Sequence, residues 1–318
     1  MYQTILVPWD GSALSETAFT MAVPIARRHK ARVQIVHVRQ PPPLVGLAPM
    51  YDTRLDGEQG DRVRTEEQAL AERLSKDSGV VVDAEFLEGD ILPTLVAYAE
   101  RTGPDLVVMT THGRGGLSRL WLGSITDAIV RALHIPILVT RGSTRDTTAD
   151  GPVFPRVLVP LDGSVEAEAV FPAISALVTP DEATLALLRV VIPLSPSNAQ
   201  LQIDPFTGPP NTFSIETDTA EASAYLANVA KSLGANGIRA TTHVGTSQSV
   251  ASAILNFASE SPNASGNAFD LIVLTPHERP PINRLLLGSV TDKVLRGAEI
   301  PVLLLHRPPG AMRESDDG

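Results

Sequence analysis

Short, β-branched apolar runs alternate with amphipathic stretches along the chain. Residues 4–8, 32–38, 80–87, 106–110 and 137–140 have the composition of strands, and residues 15–29, 61–75, 92–101 and 124–133 space their apolar side chains as helices do. Leu106-Val-Val-Met109 and, further on, Leu271-Ile-Val-Leu274 are apolar at every position, as strands are when helices cover both faces of a parallel sheet. The alternation predicts an α/β protein of the doubly wound type. Residues 40–60 and 193–219 are too long and too rich in Pro and Gly for ordinary connections, so each is expected to be a functional flap or a disordered segment.

The pattern occurs twice. Ile5-Leu-Val-Pro-Trp-Asp-Gly-Ser12 is matched by Val157-Leu-Val-Pro-Leu-Asp-Gly-Ser164, and Leu122-Gly-Ser-Ile-Thr-Asp127 by Leu287-Gly-Ser-Val-Thr-Asp292. His134-Ile-Pro-Ile-Leu-Val139 and Glu299-Ile-Pro-Val-Leu-Leu304 close the two copies in the same order. A duplication with an insertion in the second copy explains this. A polar, Pro- and Gly-punctuated stretch at 142–155 reads as the linker. It predicts one domain at 1–145, a second at 153–308 and a flexible tail at 309–318.

Composition changes this picture little. The chain has 318 residues, 43% hydrophobic and 19% charged, enough for two cores. Cysteine is absent, which excludes disulfides and thiol chemistry. A net charge of −10 argues against a nucleic-acid surface, because phosphate-backbone binding needs clustered Lys and Arg. The opening residues resemble no signal peptide and no long apolar run follows, so a cytoplasmic protein without a membrane partner is expected.

In open α/β sheets ligands sit beyond the carboxyl ends of the strands, where Asp10 and the segment after Met109 both fall. That segment is Thr110-Thr-His-Gly-Arg-Gly-Gly-Leu-Ser-Arg-Leu-Trp-Leu-Gly123-Ser124. Gly113 lets the backbone approach an anion, and Gly123-Ser124 offers free amides and a hydroxyl at the positive end of a helix dipole. Arg114 and Arg119 are candidate phosphate clamps, or solvated arginines. The bland alternatives are plain turn glycines, a capping box of Ser124 with Asp127 and of Ser289 with Asp292, and Asp10 and Asp162 as helix N-caps. Exposed loop residues are the plainer reading of His112 and His277, strand-end packing that of His37, and packing or the pocket rim that of Trp9. No P-loop lysine motif and no metal-ligand cluster is present in the sequence.

Together these residues resemble the universal stress protein family, whose ATP-binding members carry Gly-x2-Gly-x9-Gly-Ser/Thr after the fourth strand and an Asp after the first. Val7-Pro-Trp-Asp10, His37-Val38, Gly89-Asp90-Ile91 and the spacing from Gly113 to Gly123-Ser124 carry the likeness, which extends over both copies. It implies two Rossmann-like open parallel-sheet domains of the adenine-nucleotide α-hydrolase type in tandem. It also implies that Asp10 and the backbone of Val38 hold adenine, while the loop from Gly113 to Ser124 cradles ribose and phosphates. Pro8, Met109, Thr110, His112, Arg114 and Ile125 line the implied ATP site, and Thr126 would face the phosphates or an accompanying Mg²⁺. The first glycine of the family pattern is Thr110 here, which is strained if the backbone there needs positive φ.

The second copy keeps Asp162, Val190, Gly288, Ser289, Val290 and Thr291 as a weaker site, but Glu278 replaces the second glycine. A carboxylate facing a triphosphate at 4 Å costs about 4 kcal/mol at an effective dielectric of 20. Its phosphate end is therefore expected to be impaired while its adenine end survives. The family likeness further implies pairing of the two copies through their last strands, with a homodimer as a possible extension. The expected function is a regulatory, stress-response ATP-binding protein acting on an unidentified protein partner, with no enzymatic role. The rival readings are a slow ATPase or nucleotidyl-transfer enzyme, and a nucleotide-free interaction module.

Overall fold

The computed structural model describes residues 2–41, 53–111, 124–141, 153–178, 183–193, 215–259, 269–276 and 288–305. The chain divides into two compact units, one holding Met1–Val153 and the other Phe154–His277 with Leu287–Val302.

In the first unit the chain forms β1 (Thr4–Pro8), α1 (Ala13–Glu16), α2 (Phe19–His29), β2 (Arg32–Arg39), α3 (Thr53–Ser78) and β3 (Val82–Glu88). It continues with α4 (Ile91–Thr102), β4 (Leu106–Thr110), α5 (Ser124–Ala132) and β5 (Ile137–Thr140). The strands lie in the order β3-β2-β1-β4-β5, and all four pairings are parallel. Ile5, Leu6, Val7, Leu106, Val107 and Val108 are wholly buried, as strands covered on both faces require. The chain leaves β1 towards β2 on one side and leaves the adjacent β4 towards β5 on the other, so these two connections run in opposite directions across the sheet. This is the switch point at which doubly wound sheets open a crevice beyond the strand ends.

The second unit repeats the plan with β6 (Arg156–Pro160), α6 (Val165–Glu168), α7 (Phe171–Leu177), β7 (Thr184–Val191) and α8 (Ile215–Ala235). Then come β8 (Arg239–Thr246), α9 (Val250–Ser259), β9 (Leu271–Leu274), α10 (Ser289–Gly297) and β10 (Val302–Leu304). β7 and β9 flank β6, β8 lies outside β7, and these pairings are parallel. An aspartate just ahead of the inner strand pins each copy's first strand. Asp105 accepts from the Gln3 and Thr4 amides at 2.7 and 2.9 Å, and Asp270 accepts from the Arg156 amide at 2.8 Å.

Two expectations about long loops need correcting. α3 begins at Thr53, so residues 53–60 are helix and not flap. Gly57 and Gly60 argue for a loop in the sequence, yet Gly60 has a packing reason: a Cβ there would lie 3.4 Å from the Arg39 guanidinium. Likewise α8 starts at Ile215, inside the stretch read as 193–219. The remainder of both stretches lies outside the described residues.

Candidate functional site

Asp10 follows the last residue of β1, and its position is set by a tight turn. Gly11 has φ +81°, and a Cβ there would meet no atom of the described residues within 4 Å, so they leave the space above the turn open. Ser12, not Asp10, caps α1: its hydroxyl accepts from the Ser15 amide at 3.1 Å. The Asp10 carboxylate instead accepts from the Ser12 amide at 3.0 Å, the local turn that short acidic side chains favour. Asp162 repeats this, taking the Ser164 amide at 2.9 Å and the Ser164 hydroxyl at 2.6 Å, while Ser164 caps α6 through the Ala167 amide. The N-cap reading of both aspartates is thereby corrected. Partial burial pushes the Asp10 carboxyl up, but the hydroxyls of Ser12 and Ser15 and the Ser12 amide more than offset it. Asp10 is therefore held below its ordinary range, an ionised acceptor at neutral pH.

The backbone beside it is presented by strand length. Pairing of β1 with β2 ends at Pro8 opposite Val36, and a last bond runs from the Trp9 amide to the Val36 carbonyl at 2.9 Å. On a parallel strand every second residue turns its N–H and C=O to the same neighbour. The Arg39 carbonyl accordingly takes the Gly89 amide on the β3 side. Val38 is then the next residue to face β1, where β1 has already ended. Its main-chain donor and acceptor form an edge into the crevice on the same side as Asp10.

Along this edge runs an aromatic ladder that the sequence does not announce. The Trp9 and His37 rings meet edge-on with centroids 5.7 Å apart, His37 stacks on Phe86 at 5.6 Å and 3°, and the Arg64 guanidinium lies 5.0 Å over Phe86. Trp9 is 6% exposed. Burial lowers the His37 pKa and the Asp10 charge offsets this only in part, so the imidazole is neutral at physiological pH. Phe86 and Arg64 escape sequence reading because they sit on β3 and α3 and join the site only through the parallel register, His37 opposite Phe86.

Across the switch point, Pro8 ends β1, Met109 is buried in β4, and Thr110 ends β4 opposite Thr140. Among the described residues Lys30 is the one non-glycine with positive φ, so Thr110 carries no left-handed strain and the concern over the missing glycine falls away. Thr126 is 4% exposed and its hydroxyl donates to the Thr110 carbonyl at 3.4 Å. It ties α5 to β4 instead of facing outward, and Thr291 is buried likewise. Ile125, by contrast, is exposed on the first turn of α5. Of the two expected capping boxes, the one on Ser289 is not formed, and the one on Ser124 rests on a side chain outside the described residues. Asp127 bonds Arg131 at 2.9 Å one turn on, and Asp292 does the same with Arg296, while Gly288 is the N-cap that leaves Ser289 inside α10. His112, Gly113, Arg114, Arg119, Gly123, His277 and Glu278 lie outside the described residues, as does the Ser124 side chain.

The second copy has the same turn with a different occupant. Leu161 donates to the Leu188 carbonyl at 2.8 Å, which leaves Val190 as the exposed edge, equivalent to Val38. Where the first copy has His37, the second has Arg189. Its guanidinium lies against Gly163 (φ +87°), with Nη1 2.7 Å from where a Cβ would stand, and 6.0 Å from the Tyr225 ring. The Tyr225 hydroxyl donates to Glu168 at 2.9 Å. A cavity of about 470 Å³ opens here, lined in part by Gly163, Arg189, Val190, Asp218, Glu221 and Tyr225. Among the described residues no cluster of His, Asp and Glu has the makings of a metal site, and no helix is long and apolar enough to cross a membrane.

Each unit is therefore a doubly wound α/β domain with its candidate site at the switch point. Residues 1–141 and 154–306 each match the universal stress protein family, and the chain belongs to that family as a tandem of two domains. A universal stress protein of Methanocaldococcus jannaschii is 33% identical over 141 residues, 44% of this chain and 83% of that protein. One from Mycobacterium tuberculosis is 27% identical over 308 residues, covering 95% of this chain and 97% of its own, so it spans both domains. The crystal structure of a universal stress protein from Archaeoglobus fulgidus has the same fold, with a TM-score of 0.69 at 18% identity over 96% of this chain and 98% of that one.

Proposed function

We propose that the first domain binds an adenine nucleotide, ATP with its accompanying Mg²⁺, and that the protein uses this binding as a regulatory signal in a stress response. The observation that carries the reading is an ionised Asp10 beside the main-chain edge of Val38, which is unpaired among the described residues, over the space those residues leave open at Gly11. A purine offers an amino donor and ring-nitrogen acceptors along one edge, and a carboxylate beside a peptide N–H and C=O complements that pattern. The sequence pattern from Gly113 to Ser124 supports placing ribose and phosphates ahead of α5. Thr126 then serves to hold α5 against β4. Retention, not turnover, is the role proposed, with a protein partner reading the bound state.

The test is direct. Purified protein is denatured and its supernatant analysed for adenine nucleotide, and ATP with magnesium is titrated by calorimetry into wild type, Asp10→Ala and Gly123→Val. Binding to wild type that falls at least tenfold in both variants is expected. No nucleotide in the supernatant and no heat with wild type would refute the reading, and multiple-turnover ADP release abolished by Gly123→Val would favour an enzyme instead.

A further inference from the structure

The two copies differ most sharply at one side chain over the base end of the cleft. In the first, nothing among the described residues lies within 4 Å of a Cβ built on Gly11. In the second, the Arg189 guanidinium reaches into the equivalent space over Gly163, with Nη1 at 2.7 Å and the guanidinium carbon at 3.3 Å from such a Cβ. The strand register makes Arg189 the counterpart of His37, since Pro8 pairs with Val36 and Pro160 with Leu188. The first copy turns its residue sideways into a stack between Trp9 and Phe86. In the second copy Leu161 stands where Trp9 does, and the long side chain reaches forward over the turn to Tyr225.

We infer that Arg189 is the residue that makes the second domain refuse adenine, and that His37 at the same place is what admits it to the first; this rests on the proposed nucleotide site of the first domain. Three features support a blocking role. The guanidinium stands over Gly163 on the wall of the cavity beside Val190, and so narrows the volume open to a base at that strand end. Its hydrogen-bonding groups are donors only, so it sets donors against the amino group of adenine. Gly163 leaves room for it, and the Tyr225 ring, itself bonded to Glu168, lies 6.0 Å from it. Loss of the second site is thus built into the base end, and does not depend on Glu278 at the phosphate end.

The exchange of these two residues tests this. His37→Arg in the full chain is expected to lower ATP affinity at least 50-fold, well beyond any loss in His37→Gln, with both melting within a few degrees of wild type. In an Asp10→Ala background, which silences the first site, adenosine serves as the probe because it needs no phosphate loop. Asp10→Ala alone should bind none, and Asp10→Ala with Arg189→His should gain a measurable single site. ATP affinity of His37→Arg within threefold of wild type, adenosine binding by Asp10→Ala alone, or no gain in the double variant would each overturn the inference. Failure of wild type to bind ATP would instead strike the reading of the first domain, so the two failures are told apart.

Discussion

Glu67 projects from α3 with 1% of its surface exposed, and burial raises its carboxyl to about 7 against the opposing pull of the His37 and Glu85 backbone and of Arg64. Its Oε1 has no hydrogen-bond partner among the described residues. A carboxyl whose folded pKa exceeds its unfolded value stabilises the fold fully below the unfolded pKa, near 4.5, and that contribution is lost as pH rises through 7. Stability should therefore fall on the order of 3 kcal/mol between pH 4.5 and pH 8 on this group's account. Glu67→Gln should flatten that slope and be the more stable protein at pH 8, which urea unfolding across that range checks. Nothing in the sequence marks Glu67, because one acidic residue among many on a polar helix looks solvated until the helix is laid on β2 and β3. Asp10 is different: its place after an apolar run and before Gly-Ser is visible at once. Its bond to the Ser12 amide, rather than a capping role, needs the actual turn.

At the scale of elements, periodicity locates nearly every strand and helix, since a strand buried on both faces and a helix buried on one leave different spacings. β1, β4 and β5 begin and end where the apolar runs do. The start of α3 is missed because Gly57 and Gly60 speak for a loop, whereas Gly60 is buried against the Arg39 guanidinium, a tertiary setting that outweighs propensity. The aspartates that pin β1 and β6 are missed too, for they bond to strands more than a hundred residues away. They give a graded prediction. Asp270 has a side chain only 3% exposed, paired with Arg156 at 3.3 Å as well as with its amide. Asp270→Ala should cost about 3–5 kcal/mol by stranding a partly buried charge, whereas Asp105→Ala, which strands two amides near the surface, should cost about 1–2 kcal/mol. Chemical denaturation of the two variants checks the order.

For the molecule as a whole, duplication is legible because the opening and closing motifs recur in order, and both halves match one family. What the repeat conceals is how far the copies diverge in their clefts, since the residues that differ, His37 and Arg189, sit inside otherwise similar strands. If one domain alone takes ATP, saturation at 100 times the dissociation constant should stabilise that domain by about 2.7 kcal/mol. Hydrogen exchange should then slow in β1, β2 and α5 and stay unchanged in β6, β7 and α10. Equal protection in both halves would show that both bind.

The overrun of β2 past β1 has an evolutionary corollary. A recognition edge made of peptide groups survives almost any substitution along its strand, since every residue but proline supplies the same amide and carbonyl. Such an edge is hard to erase by drift and easy to obstruct. A lineage that duplicates the domain can thus retire one ligand seat, or re-purpose it, through a single neighbouring side chain, leaving the fold and its partner copy untouched.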